Sequence, residues 1–178
     1  YPDTSIRHLK FVYHSLLVIN KKLTPFNRRV EVFYAEAQMV FESMQKKFDI
    51  RSIFSYQESG TQQTWNRDKL IKSFCKTHQI DWQESQRDGI LRGIKNRKNW
   101  NKQWHKKMHT PVLKNTYTIS NTPFLHHNFL LPNKFENQIK TYNKEYQPAG
   151  EINAWRYLKS FADKRGFNYQ KHISKPNE

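Results

Sequence analysis

Hydrophobic positions near the start of the chain recur every three or four residues, which is typical of a helix with one apolar face. Within residues 5–23 these positions are Ile6, Leu9, Tyr13, Leu16, Leu17 and Leu23. Three residue types that can cap a helix stand just before them, namely Asp3, Thr4 and Ser5. Pro25 and Asn27 follow, and both residue types favour the end of a helix. We therefore predict a helix over 5–23.

Beyond this helix, short strand-like stretches alternate with longer helical ones. Strand character is found over 30–34, 50–56 and 80–84. Helical periodicity is found over 35–47, 64–78 and 99–109, and one or two helical turns are predicted over 88–94. Strands that alternate with helices of this length are typical of parallel βαβ units. The predicted fold class is α/β, with a Rossmann-like parallel sheet that is incomplete because its first strand is missing.

The rest of the chain has a different pattern. Residues 110–148 show little periodicity and contain four prolines, so we interpret them as a linker that lies over a surface. An apolar cluster holds this linker to the domain, and its members are Phe124, Leu125, Phe129, Leu130 and Leu131. A last helix is predicted over 150–164, and its apolar face has no later element to pack against. That face contains Ile152, Trp155, Leu158, Phe161 and Ala162.

Composition narrows the class of partner. The 178 residues include 31 Lys and Arg against 15 Asp and Glu, a formal net charge of +16, and 15% aromatic residues argue against disorder. Such an excess of positive charge favours a polyanionic partner, nucleic acid first, although a composition biased towards lysine would give the same excess. No apolar run is long enough to span a membrane, and the first residues do not form a signal peptide. Cys75 stands alone, which excludes a disulfide framework and favours a reducing, cytoplasmic setting.

Two positions are candidates for a site at the sheet edge. Glu58 and Gly60 follow a predicted strand, where parallel sheets bind ligands, but a turn glycine beside an exposed glutamate would have the same pattern. Arg67 and Asp68 lie at the start of the next helix. There the carboxylate complements the helix dipole, so this pair is first of all structural.

A basic run over 87–107 is the strongest charge feature, and Trp100 and Trp104 are interleaved with it. Basic side chains can neutralise phosphates while aromatic rings stack on bases. We therefore predict four nucleic-acid contacts, at Arg92, Lys95, Arg97 and Lys98. In the alternative interpretation the two tryptophans form a core stripe with Met108, and the lysines are its solvated back. We favour that interpretation for the tryptophans and leave it open for the lysines.

Motifs for other chemistry are missing from the sequence. His105 and His109 share a helix face without a third ligand, while His126, His127 and His172 lack metal-ligand spacing, so no metal site is predicted. No glycine-rich phosphate-binding loop is present, and no nucleophile with a nearby base can be named. By motif alone, the chain is no recognisable enzyme.

The order of four segments resembles the DNA photolyases and cryptochromes. The segments are Arg7-His8-Leu9-Lys10-Phe11 with Ser15-Leu16; Ser55 to Thr61 with Thr64-Trp65-Asn66-Arg67-Asp68-Lys69; Gly89 to Arg97 with Trp100, Trp104 and Met108; and Pro148-Ala149-Gly150-Glu151 with the 155–161 helix and Tyr169 seven residues before Pro176. Each segment alone matches the family only weakly. Their order and spacing are specific, and together the segments span nearly the whole chain.

The resemblance implies a partial α/β antenna domain over 1–109, an interdomain linker over 110–149 and the start of a helical FAD-binding domain over 150–178. It implies FAD in the full-length protein and an antenna chromophore of the folate or deazaflavin type. Tyr169 matches a tyrosine that contacts the FAD phosphates, and Glu58 matches an acidic residue at the domain interface. The family also places an Asn-Glu pair just before the Arg-Asp pair, where this chain has Gln63-Thr64.

The function implied by the resemblance is repair of pyrimidine dimers in damaged duplex DNA, driven by blue light through electron transfer from FAD. The full-length protein would then be a deoxyribodipyrimidine photo-lyase. This piece alone would be inactive, would hold no catalytic residue and would bind no FAD. Two alternatives stay open, a cryptochrome-type photoreceptor without repair activity and an unrelated basic α/β module that binds nucleic acid. No membrane or protein partner is predicted.

Overall fold

The computed structural model describes residues 4–143 and 145–169 of the chain. Within these residues it contains six α-helices and two strands: α1 Ile6–Leu23, α2 Ala37–Lys47, β1 Ser52–Tyr56, α3 Gln62–Thr77, β2 Asp81–Ser85, α4 Trp100–Met108, α5 Asn133–Lys140 and α6 Glu151–Asp163. Short 3₁₀ turns follow α1 at Thr24–Phe26 and α6 at Arg165–Asn168. The predicted cap Asp3, and also His172 and Pro176, lie outside the described residues.

The chain divides into two compact units, which are named here for their place in the sequence. The terminal unit comprises Tyr1–Val32 with Tyr117–Glu178, and the central unit comprises Phe33–Thr116. The domain boundaries implied by the resemblance, at residues 109 and 149, stay a prediction.

A βαβ arrangement organises the central unit. Strands β1 and β2 pair in parallel, with Ser52 opposite Asp81 and Tyr56 opposite Ser85, and α3 connects them. The indole Nε1 of Trp82 donates to Ser55 Oγ at 2.9 Å, which also ties the two strands together. The coarse prediction of a mixed α/β fold with parallel strands is therefore confirmed. The Rossmann-like topology stays a prediction, because the described residues form only two strands.

The core of the central unit lies under one face of α3. Ile71, Phe74 and Cys75 are buried at the helical spacing i, i+3 and i+4, and Ile80 joins them from the position just before β2. Half-buried apolar side chains surround this cluster, namely Ala37, Phe41, Ile50, Ile53 and Trp82. Side chains along β1 alternate between the two faces of the sheet, so Ile53 faces the core while Phe54 is exposed.

The prediction of a strand over 30–34 is wrong. These residues have no regular structure, and the backbone N–H of Val30 donates to Asn20 Oδ1 at 2.7 Å instead of to a neighbouring strand. A polar side chain at the end of α1 thus takes the donor that a sheet would have used.

The helical turns predicted over 88–94 are also not formed. Gly89 and Gly93 have φ angles of +71° and +68°, which end any right-handed helix. Between them, the N–H of Ile90 donates to Asp88 Oδ1 at 3.0 Å and closes a local turn.

The segment interpreted as a linker contains one helix that the sequence pattern did not predict. Helix α5 packs against α1 in the terminal unit and buries Ile139.

Helix α6 also contacts α1 in the terminal unit. Its start approaches α1 closely at Gly150, where an added Cβ would lie 3.0 Å from Cγ2 of Val18. Lys22 Nζ and Glu151 Oε2 form an ion pair at 2.5 Å between the same two helices. The apolar face of α6 is exposed, as its pattern predicted.

Candidate functional site

The carboxyl ends of the two parallel strands carry loops that are tied to each other. The backbone N–H of Gln57 donates to Ser85 O at 2.9 Å, so the ladder continues one residue beyond β1. Beyond it, Ser59 Oγ donates to Asp88 Oδ2 at 2.9 Å. The loop that follows β1 and the loop that follows β2 therefore form one connected edge, the place where parallel sheets bind ligands.

Glu58 closes the first of these loops. Its Oε1 accepts a hydrogen bond of 2.7 Å from the N–H of Gly60, and its Oε2 lies 3.6 Å from Arg67 Nη2. A Cβ on Gly60 would lie 2.7 Å from the same Oε1, so a larger residue there would displace the carboxylate. Glu58 is half-buried and partnered, unlike the exposed glutamate of the alternative interpretation.

Arg67 and Asp68 extend this contact into a chain of charges. Arg67 donates to Asp68 Oδ1 through Nη2 at 2.7 Å and through Nε at 3.0 Å. On the far side of Asp68, Oδ2 lies 3.9 Å from Arg92 Nη2, and Arg92 Nη1 lies 3.8 Å from Glu84 Oε1. We call these five residues, Glu58, Arg67, Asp68, Glu84 and Arg92, the carboxylate–arginine cluster.

Arg92 is the most enclosed cation of this cluster. Its side chain is 27% exposed, and its Nε and Nη2 are buried without a hydrogen bond inside the described residues. Its guanidinium carbon lies 5.7 Å from the centre of the Trp65 ring. The structure therefore places Arg92 at the sheet edge between carboxylates rather than on an open surface, and its predicted role as a nucleic-acid contact has no direct support.

The other three predicted nucleic-acid residues lie apart from Arg92. Lys95, Arg97 and Lys98 are all exposed, in the loop that leads into α4. Arg97 lies over the Trp100 ring, with its guanidinium carbon 5.9 Å from the ring centre. This loop presents positive charge to solvent, as the basic run predicted.

The two tryptophans of α4 make packing contacts inside the central unit. Trp100 and Trp104 are half-buried and stack with ring centres 6.3 Å apart and planes 26° from parallel. Trp104 also packs on the loop that follows β2, because an added Cβ at Gly89 would lie only 2.9 Å from its Cδ1. These contacts favour the interpretation of the two rings as a packing stripe.

One carboxylate at the sheet edge has a shifted pKa. Hydrogen bonds from the backbone N–H of Ile90 and from the Ser59 hydroxyl hold the pKa of Asp88 below its usual range. Both donors stabilise the ionised form. Asp88 thus stays negative while it links the two loops.

Two residues of this edge were not predicted as site residues. Glu84 completes the cluster from the end of β2, and Asp88 joins the loops through Ser59. Their position in the sequence could have identified them, since both lie at or just after the carboxyl end of a parallel strand, as Glu58 does.

Tyr169, the residue matched to an FAD-phosphate contact, lies in the terminal unit. Its ring packs edge-on against Phe161, with centres 5.6 Å apart and planes at 82°, and half of the side chain is exposed. A phenol can donate a hydrogen bond to a phosphate, and the implied contact of Tyr169 with FAD stays a prediction.

Metal chemistry has no support in the part of the chain that the structure describes. No group of three or more histidine, cysteine, aspartate or glutamate residues there could hold a metal ion. His109 Nδ1 lies 2.8 Å from the carbonyl of His105, so this pair bonds within its own helix. Across residues 4–143 and 145–169, no helix is both long enough and apolar enough to cross a membrane.

Comparison of the chain with protein-family models, curated proteins and solved structures found no match.

Proposed function

We propose that this chain is part of a blue-light-driven flavoprotein of the photolyase type, which splits pyrimidine dimers in DNA by electron transfer from FAD. One observation carries the proposal. Two of the four segments that carry the resemblance, the second over 55–69 and the third from Gly89 onward, meet at the carboxyl edge of the parallel strands.

The contacts between these segments are specific. Within the second segment, Glu58 of the loop contacts Arg67 at the start of α3. The third segment reaches the second through Arg92 and Asp68. It also folds on itself, because Trp104 packs against the backbone of Gly89. Residues of two segments that are far apart in the sequence are thus in contact, which a chance similarity of each segment would not require.

The electrostatics of this edge agree with a binding role. Half-buried charges must lose part of their hydration, so a cluster of three carboxylates and two arginines is a weak source of stability. The cluster lies at the carboxyl edge of the parallel strands, the place where such sheets bind ligands. The predicted role of Glu58 at a domain interface is consistent with this position.

The charge of the chain supports DNA as the substrate. A net charge of +16 attracts the phosphate backbone from a distance and speeds encounter with it. Tyr169, which is about half exposed, is suited to contact an FAD phosphate. When bound, FAD would supply the light-excited electron, while this chain would contribute binding and orientation.

The test uses the full-length protein that contains this chain. We expect flavin absorption bands in the purified protein, and repair of thymine dimers in duplex DNA under blue light with none in the dark. A colourless protein that also fails to take up added FAD would overturn the proposal. A flavoprotein that shows no repair would favour the cryptochrome-type photoreceptor instead.

A further inference from the structure

A groove runs between α4 and the loop that follows β2, and none of the five residues of the carboxylate–arginine cluster lines it. Its volume is about 640 Å³. Lysine and amide side chains supply most of its polar lining, namely Gln86, Asn99, Lys102, Gln103, Lys106 and Lys107. We call it the α4 groove.

The sequence around this groove contains no compensating negative charge. Residues 89–135 include no aspartate or glutamate. Between 89 and 116 there are eight basic residues, Arg92, Lys95, Arg97, Lys98, Lys102, Lys106, Lys107 and Lys114. The nearest carboxylates upstream already have partners, since Glu84 pairs with Arg92 and Asp88 accepts from Ser59 and Ile90. In the described part of the chain, none of the three groove lysines forms an ion pair.

The placement of these charges on α4 is not explained by the stability of the helix. Lys106 and Lys107 lie in the last turn, where the helix dipole favours cations. Arg97 and Lys98, however, precede the first turn, where the dipole disfavours them and where α4 has no acidic residue. Lys102 and Lys106 are also four residues apart, a spacing at which like charges repel on a helix. An anionic ligand would remove both penalties.

The shape of the charged surface indicates what kind of anion fits. Asn99 lines the α4 groove and also a neighbouring pocket of about 350 Å³ formed with Arg97, Trp100 and Asn101. At 1.5 Å per helical residue, the part of α4 from Trp100 to Lys107 is roughly 10 Å long. One nucleic-acid strand advances about 3.4 Å per phosphate, so this length spans about three phosphates. A single small anion would occupy only a part of it.

We propose that the α4 groove binds the sugar–phosphate backbone of a nucleic acid, independently of base sequence and of any flavin. Lys102, Lys106 and Lys107 neutralise successive phosphates. The side-chain amides of Asn99 and Gln103 are placed to donate to phosphate oxygens, as backbone-positioning contacts do. Gln86 keeps its neighbouring loop in place, because its amide donates to the carbonyl of Ile90.

The experiment measures binding of the 178-residue chain to a fluorescein-labelled, undamaged DNA duplex, by anisotropy over a series of salt concentrations. The test variant carries Lys102→Ala, Lys106→Ala and Lys107→Ala. Alanine favours helix, so α4 should form, and circular dichroism checks that it does. The slope of log affinity against log salt is negative, and each lost phosphate contact reduces its magnitude by about 0.9, so we expect the magnitude to fall by about 2.7.

The matched control removes the same charge from another helix of the central unit. Lys69, Lys72 and Lys76 of α3 are exposed, and their triple alanine variant has the same net charge as the test variant. We expect its salt slope to stay near that of the parent chain. Equal losses in the two variants would show that net charge alone binds DNA and would overturn the proposal, as would an unchanged slope in the test variant.

Two further binding measurements, which are additional arms of the experiment, identify the ligand. Inorganic tripolyphosphate should compete only weakly with the duplex. If it binds at the groove while DNA does not, the site takes small polyphosphates and the proposal fails. A duplex that contains a thymine dimer should bind at this groove as tightly as the undamaged one. Because every arm is run without flavin, failure of the photolyase proposal leaves these outcomes unchanged.

Discussion

At the scale of single residues, Gly89 and Gly93 share one backbone conformation and differ in their surroundings. Their φ angles of +71° and +68° lie in the left-handed region, which costs a residue with a Cβ about 1–2 kcal/mol. An added Cβ at Gly89 would lie 2.9 Å from Trp104 Cδ1 and 3.2 Å from Met108 Cε. One at Gly93 would have nothing within 4 Å among the residues described. The pair therefore separates backbone strain from packing.

We expect Gly93→Ala to lower the free energy of unfolding by about 1 kcal/mol, because it adds backbone strain alone. Gly89→Ala should lower it by about 2–4 kcal/mol, because it also displaces Trp104 from the loop. Urea unfolding followed by tryptophan fluorescence measures both values. Equal losses at the two glycines would contradict the close packing of α4 on this loop.

The hydrogen bonds to Asp88 make a second prediction at this scale. Since they lower its pKa in the folded chain, they stabilise the fold above the ordinary pKa of an aspartate. This contribution is lost as the pH falls through the lowered folded value. The dependence therefore lies on the acidic side, below about pH 4.

Ser59→Ala should raise the pKa of Asp88 part of the way back to its ordinary value, because the bond from Ile90 remains and is the larger cause. Titration of the Asp88 carboxyl carbon by NMR measures the shift. Ser52→Ala is the control, since this exposed serine lies at the other end of β1. An Asp88 pKa that is the same in the Ser59 variant and the parent would show that the two loops are not joined through this hydroxyl.

At the scale of elements, one face of α3 forms the core of the central unit. Phe74 is buried, with its ring centre 6.2 Å from that of Phe41 on α2 and 4.4 Å from that of His78. Leu70, one turn earlier on the same helix, is 56% exposed. The two positions have similar apolar size and helical context, so they differ mainly in burial.

We expect Phe74→Ala to lower the unfolding free energy by about 3–5 kcal/mol, since it loses buried area and leaves a cavity. Leu70→Ala should change it by less than about 0.5 kcal/mol. Denaturant titrations of both variants give the comparison. A small loss at Phe74 would mean that the cluster around α3 is not the core of this unit.

The sequence predicts an element well when the pattern within that segment determines its structure, and poorly when contacts with distant residues determine it. Helix α1 was predicted because six apolar positions repeat along it, while α5 was missed because its eight residues bury little more than Ile139. The strand predicted over 30–34 fails for a non-local reason, the hydrogen bond from Val30 to Asn20. Alternation along a segment cannot show that a distant side chain takes its donor.

The candidate site divides in the same way. The position of Glu58 follows from the rule that loops at the carboxyl ends of parallel strands hold ligands. The direction in which Arg92 points does not follow, because the sequence presents it as one of many basic residues in a run. Its ion pairs with Glu84 and Asp68 depend on the meeting of β2, α3 and a later loop, which only the tertiary structure provides.

At the scale of the whole molecule, the two units carry different parts of the proposals. The central unit holds the carboxylate–arginine cluster and the α4 groove, whereas the terminal unit holds Tyr169 and the exposed face of α6. Backbone binding by the central unit requires no flavin, and the proposed FAD contact requires none of the groove lysines. Loss of one property should therefore leave the other measurable.

The exposed side chains of α6 predict how the chain behaves in solution. Ile152 is 72% and Trp155 is 64% exposed, and Leu158 continues the same face. Such a patch favours contact with another apolar surface. We therefore expect the mean mass of the purified 178-residue chain to rise with concentration in sedimentation experiments.

The outer edges of β1 and β2 offer a rival cause of self-association, because within the described residues each strand of this two-stranded sheet has one unpaired side. Replacing Trp155 and Leu158 with glutamine removes two side chains worth about 1.5–3 kcal/mol each when fully buried, so it should weaken association at least about tenfold. Phe54→Lys, which adds charge to an exposed position of β1, should have a much smaller effect. The reverse order would identify the sheet edge, not α6, as the surface through which copies meet.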